Sequence, residues 1–211
     1  TYIRLGGRFN YFHKFNKILI EPRINIRQKI NSEFSVKLEG ELKNQTTTQK
    51  IDFEENFLGI EKRRWILSDD NNTPIVKSKQ ASFGVEYSKN KLDVDITAFY
   101  KKVDGITAAN QGFYNNQQTF NSIGNYEAKG VEFLINKKIN KISTWISYTY
   151  SNNKYTFNNF NPKTFNNSLD ITHSINAAFN YNFTDNLKIS LGGVLRSGKP
   201  YTIPVEGNET I

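Results

Sequence analysis

The sequence predicts an all-β, antiparallel, up-and-down transmembrane sheet, a partial barrel of about nine strands. Three observations carry this prediction. Apolar residues recur at every second position, the strands so marked are long, and short turns alternate with long polar loops. Side chains of an extended chain point alternately to opposite faces, so a period of two marks a strand with one greasy and one wet side.

The clearest case is residues 171–183. There Ile171, Ile175, Ala177, Phe179, Tyr181 and Phe183 share one face with His173, and Thr172, Ser174, Asn176, Ala178, Asn180 and Asn182 share the other. A helix would scatter these residues around its circumference. Upstream the same division recurs. Ile3, Leu5, Phe9 and Tyr11 alternate with Arg4, Gly6, Arg8 and Asn10, and Ile18, Ile20, Pro22, Ile24 and Ile26 with Glu21, Arg23, Asn25 and Arg27. Phe34, Val36, Leu38 and Leu42 face away from Ser35, Lys37, Glu39 and Glu41. Further strands follow at Phe83–Tyr87, Leu92–Tyr100, Val131–Ile135, Ile142–Tyr150 and Leu187–Arg196.

Many of these strands run to about 9–13 residues against a soluble norm of ~5–6, and a tilted strand needs ~9–11 to cross the hydrocarbon layer. Turns of a few residues are expected near Asn31–Glu33, Lys89–Lys91, Lys138–Lys141 and Thr184–Asn186. Long polar loops are expected near 45–80, 104–124 and 152–170 and from about 197 onward. Only the connection at His13–Lys17 is short where length is expected. Outer-membrane barrels sort their connections in this way. Tyr87, Tyr100, Tyr150 and Tyr181 near strand ends suit an interfacial girdle.

Composition excludes several classes. With no cysteine among 211 residues there are no disulfides or thiolate metal sites, and no run approaches the ~20 apolar residues of a transmembrane helix. No leader pattern follows Thr1, which suggests a processed chain or a piece of a longer one. His13 and His173 are isolated, so neither a metal site nor a Ser-His-Asp constellation is expected. Gly193–Pro200 has the spacing of a phosphate loop but Pro where the hydroxyl is needed. The acids at Asp52, Glu54, Glu55 and Glu61 lie among Lys50, Lys62, Arg63 and Arg64, the mark of a solvated loop. Asp69–Asn72 lacks the Gly and distant Glu of a calcium loop. The net charge of +8 is spread through strands and loops without a stacking platform, so no nucleic-acid partner is expected.

An odd set of strands leaves two edges unpaired, and a lipid-exposed edge is very costly, so a fragment of a closed barrel is expected. Ordered phrases then resemble the C-terminal part of the barrel of TonB-dependent outer-membrane receptors: Gly6-Gly7-Arg8-Phe9, Glu21-Pro22-Arg23, Trp65-Ile66-Leu67-Ser68, Phe83-Gly84-Val85-Glu86-Tyr87, Asp95–Lys102, Asn125–Glu132, Ser147–Ser151 and Arg196–Tyr201. Each phrase is weak alone; their order over nearly the whole chain is specific. The resemblance implies a 22-stranded barrel, of which residues 1–211 form one partial domain, the plug domain, first half and last three strands lying outside it. It also implies a Gram-negative outer-membrane location, a plug and the inner-membrane TonB complex as partners, and active uptake of a scarce nutrient of siderophore, cobalamin or glycan class. No enzyme activity and no cofactor are implied.

On the wet face, Arg4, Arg8, Arg23, Arg27 and Lys29 are, as the resemblance implies, contacts to a plug or ion pairs within the lumen past which anionic ligands are steered, with direct ligand contact as the second reading. Trp65, Phe113, Tyr114, Phe157 and Phe160, in the long loops, are the aromatics that could stack on a nutrient ligand. Two alternatives stay open: a passive porin wall, and a soluble β-rich surface or adhesin protein that would bury both its sheet faces.

Overall fold

The computed structural model describes residues 1–52, 62–69, 72–111, 122–166 and 170–200. Twelve strands run in chain order: β1 (Tyr2–Phe12), β2 (Lys17–Lys29), β3 (Phe34–Gln45), β4 (Thr47–Asp52), β5 (Lys62–Leu67), β6 (Val76–Lys89), β7 (Leu92–Thr107), β8 (Ile123–Ile139), β9 (Ile142–Phe157), β10 (Thr164–Phe165), β11 (His173–Asn182) and β12 (Lys188–Arg196). A 3-10 turn at His13–Phe15 joins β1 to β2, and a four-residue helix α1 (Ala108–Gln111) follows β7. No described helix is long and apolar enough to cross a membrane.

The main sheet is a meander in the order β1-β2-β3-β6-β7-β8-β9-β11-β12 with β10 added beside β9, and β4-β5 form a separate hairpin. Every neighbouring pair is antiparallel. These nine successive strands are the nine the hydropathy period marks. The segment Arg63–Leu67 of β5 is paired with β4 outside the main sheet and so leaves the alternation of up and down strands intact.

Register shows why the pattern is periodic. Val36 pairs with Val85, Val85 with Ile96, Ile96 with Phe133, Phe133 with Tyr148, Tyr148 with Ile175 and Ile175 with Leu195. Ile3, Ile26, Leu38, Phe83, Ala98, Val131 and Tyr150 line up as a second row. One face is therefore an unbroken apolar belt, and a slip of one residue anywhere would turn part of it to the other side. The belt is open to its surroundings: Leu5 and Phe9 are each 72% exposed, and Leu191 and Leu195 are similarly bare. A soluble sheet hides such a face against a second layer.

The opposite face is concave and cups a hollow of about 820 Å³ lined by Arg4, Arg23, Lys37, Glu39, Asp95 and Glu132 among others. On β6 the outward odd-numbered residues from Lys77 to Phe83 are exposed and the intervening even ones half-buried, as a curled sheet requires. The tight turns also match: Asn90 and Lys91 both take positive φ (52° and 60°), the two-residue geometry that fits the twist of flanking strands, and Asn140 takes φ 46°.

Strands β7, β8 and β9 reach 16, 17 and 16 residues, well past the ~9–11 that lipid requires. Their excess lies at the long-loop end, where the sheet stands clear of the belt as a collar. A bulge between Asp104 and Ile106, centred on Gly105 at φ +84°, changes the facing of β7 there. Asp104 pairs with outward Asn125, whereas Ile106 pairs with inward Gly124. The extra residue thus turns Ile106, otherwise outward by parity, into a small core with Ala108, Tyr155 and Phe157, against which Val76, Val103, Tyr126, Phe160 and Phe165 pack.

Candidate functional site

The inner wall and its mouth are the places where a solute could be handled. The wall is built from the odd residues of β2, β3 and β7 and the even residues of β6. The wet-face parity of these strands delivers acids and bases to the same surface, where they meet across strands. Arg27 Nη2 lies 2.6 Å from Glu86 Oε2, Arg23 Nε 3.7 Å from Glu41 Oε2, and Lys37 Nζ 2.5 Å from Asp95 Oδ2. Thr97 Oγ1 donates to the other Asp95 oxygen at 2.7 Å, and Asn25 Nδ2 donates to Glu39. Gln80 donates to Glu41, which also pairs with Lys43. Glu21, only 3% exposed, accepts the Asn44 backbone N–H at 2.9 Å and so ties β2 to the outer end of β3.

Of the basic residues singled out from the sequence, Arg23 and Arg27 are engaged in these ion pairs. Arg4 lies over the Tyr2 ring at 5.7 Å, and Arg8 donates to Asn10 Oδ1. Lys29 ends β2 beside the short turn to β3. Lys37 and Asp95 were not singled out. Each carries no sequence signal beyond its wet-face parity, and only the register, 58 positions apart in the chain, brings them together. Their side chains are only about a quarter exposed. Asp95→Asn in the intact protein is therefore expected to cost about 1.5–3 kcal/mol, the worth of a hydrogen bond to a charged group. Glu127→Gln, whose contact to Lys129 spans 3.8 Å at an open surface, should stay within about 1 kcal/mol. Denaturant unfolding of the two variants in micelles checks this ordering.

At the mouth the aromatics divide. Trp65 is 64% exposed on β5. Phe157 is not: it is fully buried, stacked on Phe160 at 5.0 Å and on Phe165 at 6.2 Å, which corrects its reading as a ligand-stacking loop residue. Phe160 packs onto the same cluster with part of its surface still open. Phe113 and Tyr114 lie outside the described residues. The segment after β9 is further held by Asn153, which accepts from Tyr126 Oη at 3.0 Å and donates to Asp170 Oδ1 at 2.6 Å. Among the described residues no group of His and carboxylates is placed to hold a metal ion.

A greasy outward belt around a charged inner wall, with residues 69–208 matching the family described as TonB dependent receptor-like, beta-barrel, decides the classification. The chain belongs to the TonB-dependent receptor β-barrel family. Its sheet resembles that of the siderophore receptor PirA from Acinetobacter baumannii, with TM-score 0.60 and 17% identity over 93% of this chain and 32% of that one. It also resembles the FrpB iron transporter from Neisseria meningitidis (F3-3 variant), with TM-score 0.60 and 11% identity over 84% of this chain and 27% of that one. The chain thus spans about a third or less of the length of the solved receptors it matches. No curated relative matches it significantly. As a TonB-dependent receptor barrel, the partial sheet leaves β1 and β12 as edges unpaired with one another among the described residues.

Proposed function

We propose that these residues form part of the wall of a Gram-negative outer-membrane receptor that imports a scarce nutrient actively, energised by the inner-membrane TonB complex through a plug domain outside this segment. On this reading residues 1–211 are one partial barrel domain, and its work is transport, without catalysis or a resident cofactor. Arg4, Arg8 and Lys29, together with the paired Arg23 and Arg27, face that plug and steer anionic solutes toward it. Trp65, with Phe113, Tyr114 and the open side of Phe160, belongs to the ligand-facing mouth. A ferric siderophore is the first ligand to try, ahead of cobalamin or a glycan, because PirA is a siderophore receptor and FrpB an iron transporter.

The observation that carries the reading is the in-register apolar belt backed by a charged inner wall, an arrangement stable only between lipid and water. The test is uptake of a radiolabelled ferric siderophore by cells making the full-length receptor in place of their own. Saturable uptake that stops when TonB is deleted is expected. Uptake that continues without TonB would overturn energised import and make the wall that of a passive porin.

A further inference from the structure

The inner wall is divided lengthwise by charge. On β2 and β3 the inward parity presents Arg23, Arg27, Lys37, Glu39 and Glu41, and β6 and β7 answer with Glu86, Asp95 and Lys101. Beyond β8 the charges stop. No charged side chain occurs among the inward residues of β9 from Ser143 to Ser151, of β11 from Ser174 to Asn182, or of β12 from Ser190 to Val194. Ser, Thr and Asn supply most of that surface, and Lys188 and Arg196 stand inward only at its two ends.

The two halves also differ in how their side chains are held. In the charged half they are tied together: Lys37 lies across Gly84, where any side chain would displace it, and its Nζ is 2.5 Å from Asp95. Arg27 binds Glu86 at 2.6 Å. Between β9 and β11 the side-chain contacts are long: 3.3 Å from Asn176 Nδ2 to Ser147 Oγ, and 3.5 Å from Asn180 Nδ2 to the Ser143 carbonyl, at the limit of a hydrogen bond. Ala178 and Gly192 stand opposite one another on the neighbouring pair, and a methyl group added at Gly192 would meet only the Ala177 carbonyl oxygen, at 3.7 Å. This half is recessed, uncharged and lightly bonded.

We propose that the neutral strip of β9, β11 and β12 is the side of the barrel along which the imported solute travels, while the charged half from β1 to β7 stays covered. A conducted solute must be held strongly enough to enter and weakly enough to leave. Hydrogen bonds to neutral hydroxyls and amides are about half as strong as those to charged groups, so the strip meets that condition and the ion-paired half does not. The donors on offer, the amides of Asn176 and Asn180 and the hydroxyls of Ser147, Thr149 and Ser174, suit a solute rich in hydroxyl, carbonyl or chelating oxygens. Without a fixed charge, the strip passes neutral and anionic forms alike. This inference rests on the import reading above.

The test uses the full-length receptor in cells, with any cysteine outside this segment replaced by Ser; the segment itself has none. Single cysteines are placed in the strip (Ser147→Cys, Asn176→Cys) and in the charged half (Gly6→Cys, Ser82→Cys). A side chain fits at Gly6, where an added Cβ meets nothing closer than Arg23 Cβ at 3.9 Å. Gly6 and Ser82 are at least as open in the wall as Ser147 and Asn176, so any protection reports on what covers them. A bulky, membrane-impermeant maleimide is added from outside during TonB-dependent uptake of the radiolabelled ferric siderophore. Cysteines at 147 and 176 should be labelled and uptake through those receptors lost. Those at 6 and 82 should stay unlabelled, with uptake unchanged. Two positions in each half preserve the comparison if one variant fails to fold. Equal labelling of the two halves would overturn the strip, and so would labelled strip cysteines that leave uptake intact. Wild type without TonB-dependent uptake would fail the import reading and take this inference with it, whereas wild type that imports while both halves label alike sinks the strip alone.

Discussion

Phe157→Ala is expected to destabilise the collar of the intact receptor by about 3–5 kcal/mol, the usual cost of deleting a buried phenyl ring. Phe157 is fully enclosed, and its ring organises the others: Phe160 and Phe165 stack on it and on one another, with Ile106 and Ala108 beneath. The backbone depends on the same place, since the Phe157 N–H donates to the Lys163 carbonyl and its own carbonyl accepts from Phe160. Loss of the ring should therefore loosen the segment from 158 to 166 while the belt below survives. Limited proteolysis from the outside should show new cleavage there, with unchanged migration of the folded barrel. Trp65→Ala, at an exposed position, should stay within about 0.5 kcal/mol. If the two changes prove equally mild, the collar has no core of its own.

Ile175→Arg should cost the complete barrel about 2–4 kcal/mol, and Asn176→Arg far less. These neighbours share a backbone environment in β11 but not a facing. Ile175 lies in the apolar row between Tyr148 and Leu195. Asn176 lies on the inner wall, where its Nδ2 donates to Ser147 Oγ at 3.3 Å. A guanidinium at the first position must sit in hydrocarbon, whereas at the second it joins a wall that already holds five basic residues on the first hairpin and their acids. Folding equilibria in vesicles measure the difference. Similar costs at both positions would mean that the sheet does not have one side in lipid.

The belt was legible in the sequence because lipid on one side and water on the other impose a contrast at every second residue. All nine strands of the meander were found on that basis, along with the sorting of short turns from long loops. Legibility ended where the contrast ended. In the collar the outward face turns wet and the inward face mixes Lys101 with the apolar cluster around Phe157, so no period is visible. The loops expected near 104–124 and 152–170 accordingly conceal the ends of β7, β8 and β9. The hairpin β4-β5 was hidden for the same reason, with only Trp65–Leu67 hinting at it. Phe157 and Phe160 looked like loop aromatics because nothing local says that Ile106 is turned inward by the bulge at Gly105. Nor could alternation pair Arg27 with Glu86; only the order of strands does that.

The bulge at Gly105 also bears on how genes of this kind can change length. Within the segment Leu92–Tyr100 a single inserted codon would exchange the faces of everything beyond it, placing acids among acyl chains. Beyond Asp104 the same change puts no acid among acyl chains, and this chain carries an odd residue there already. Insertions and deletions should therefore accumulate above the hydrocarbon, and within it only in twos or not at all.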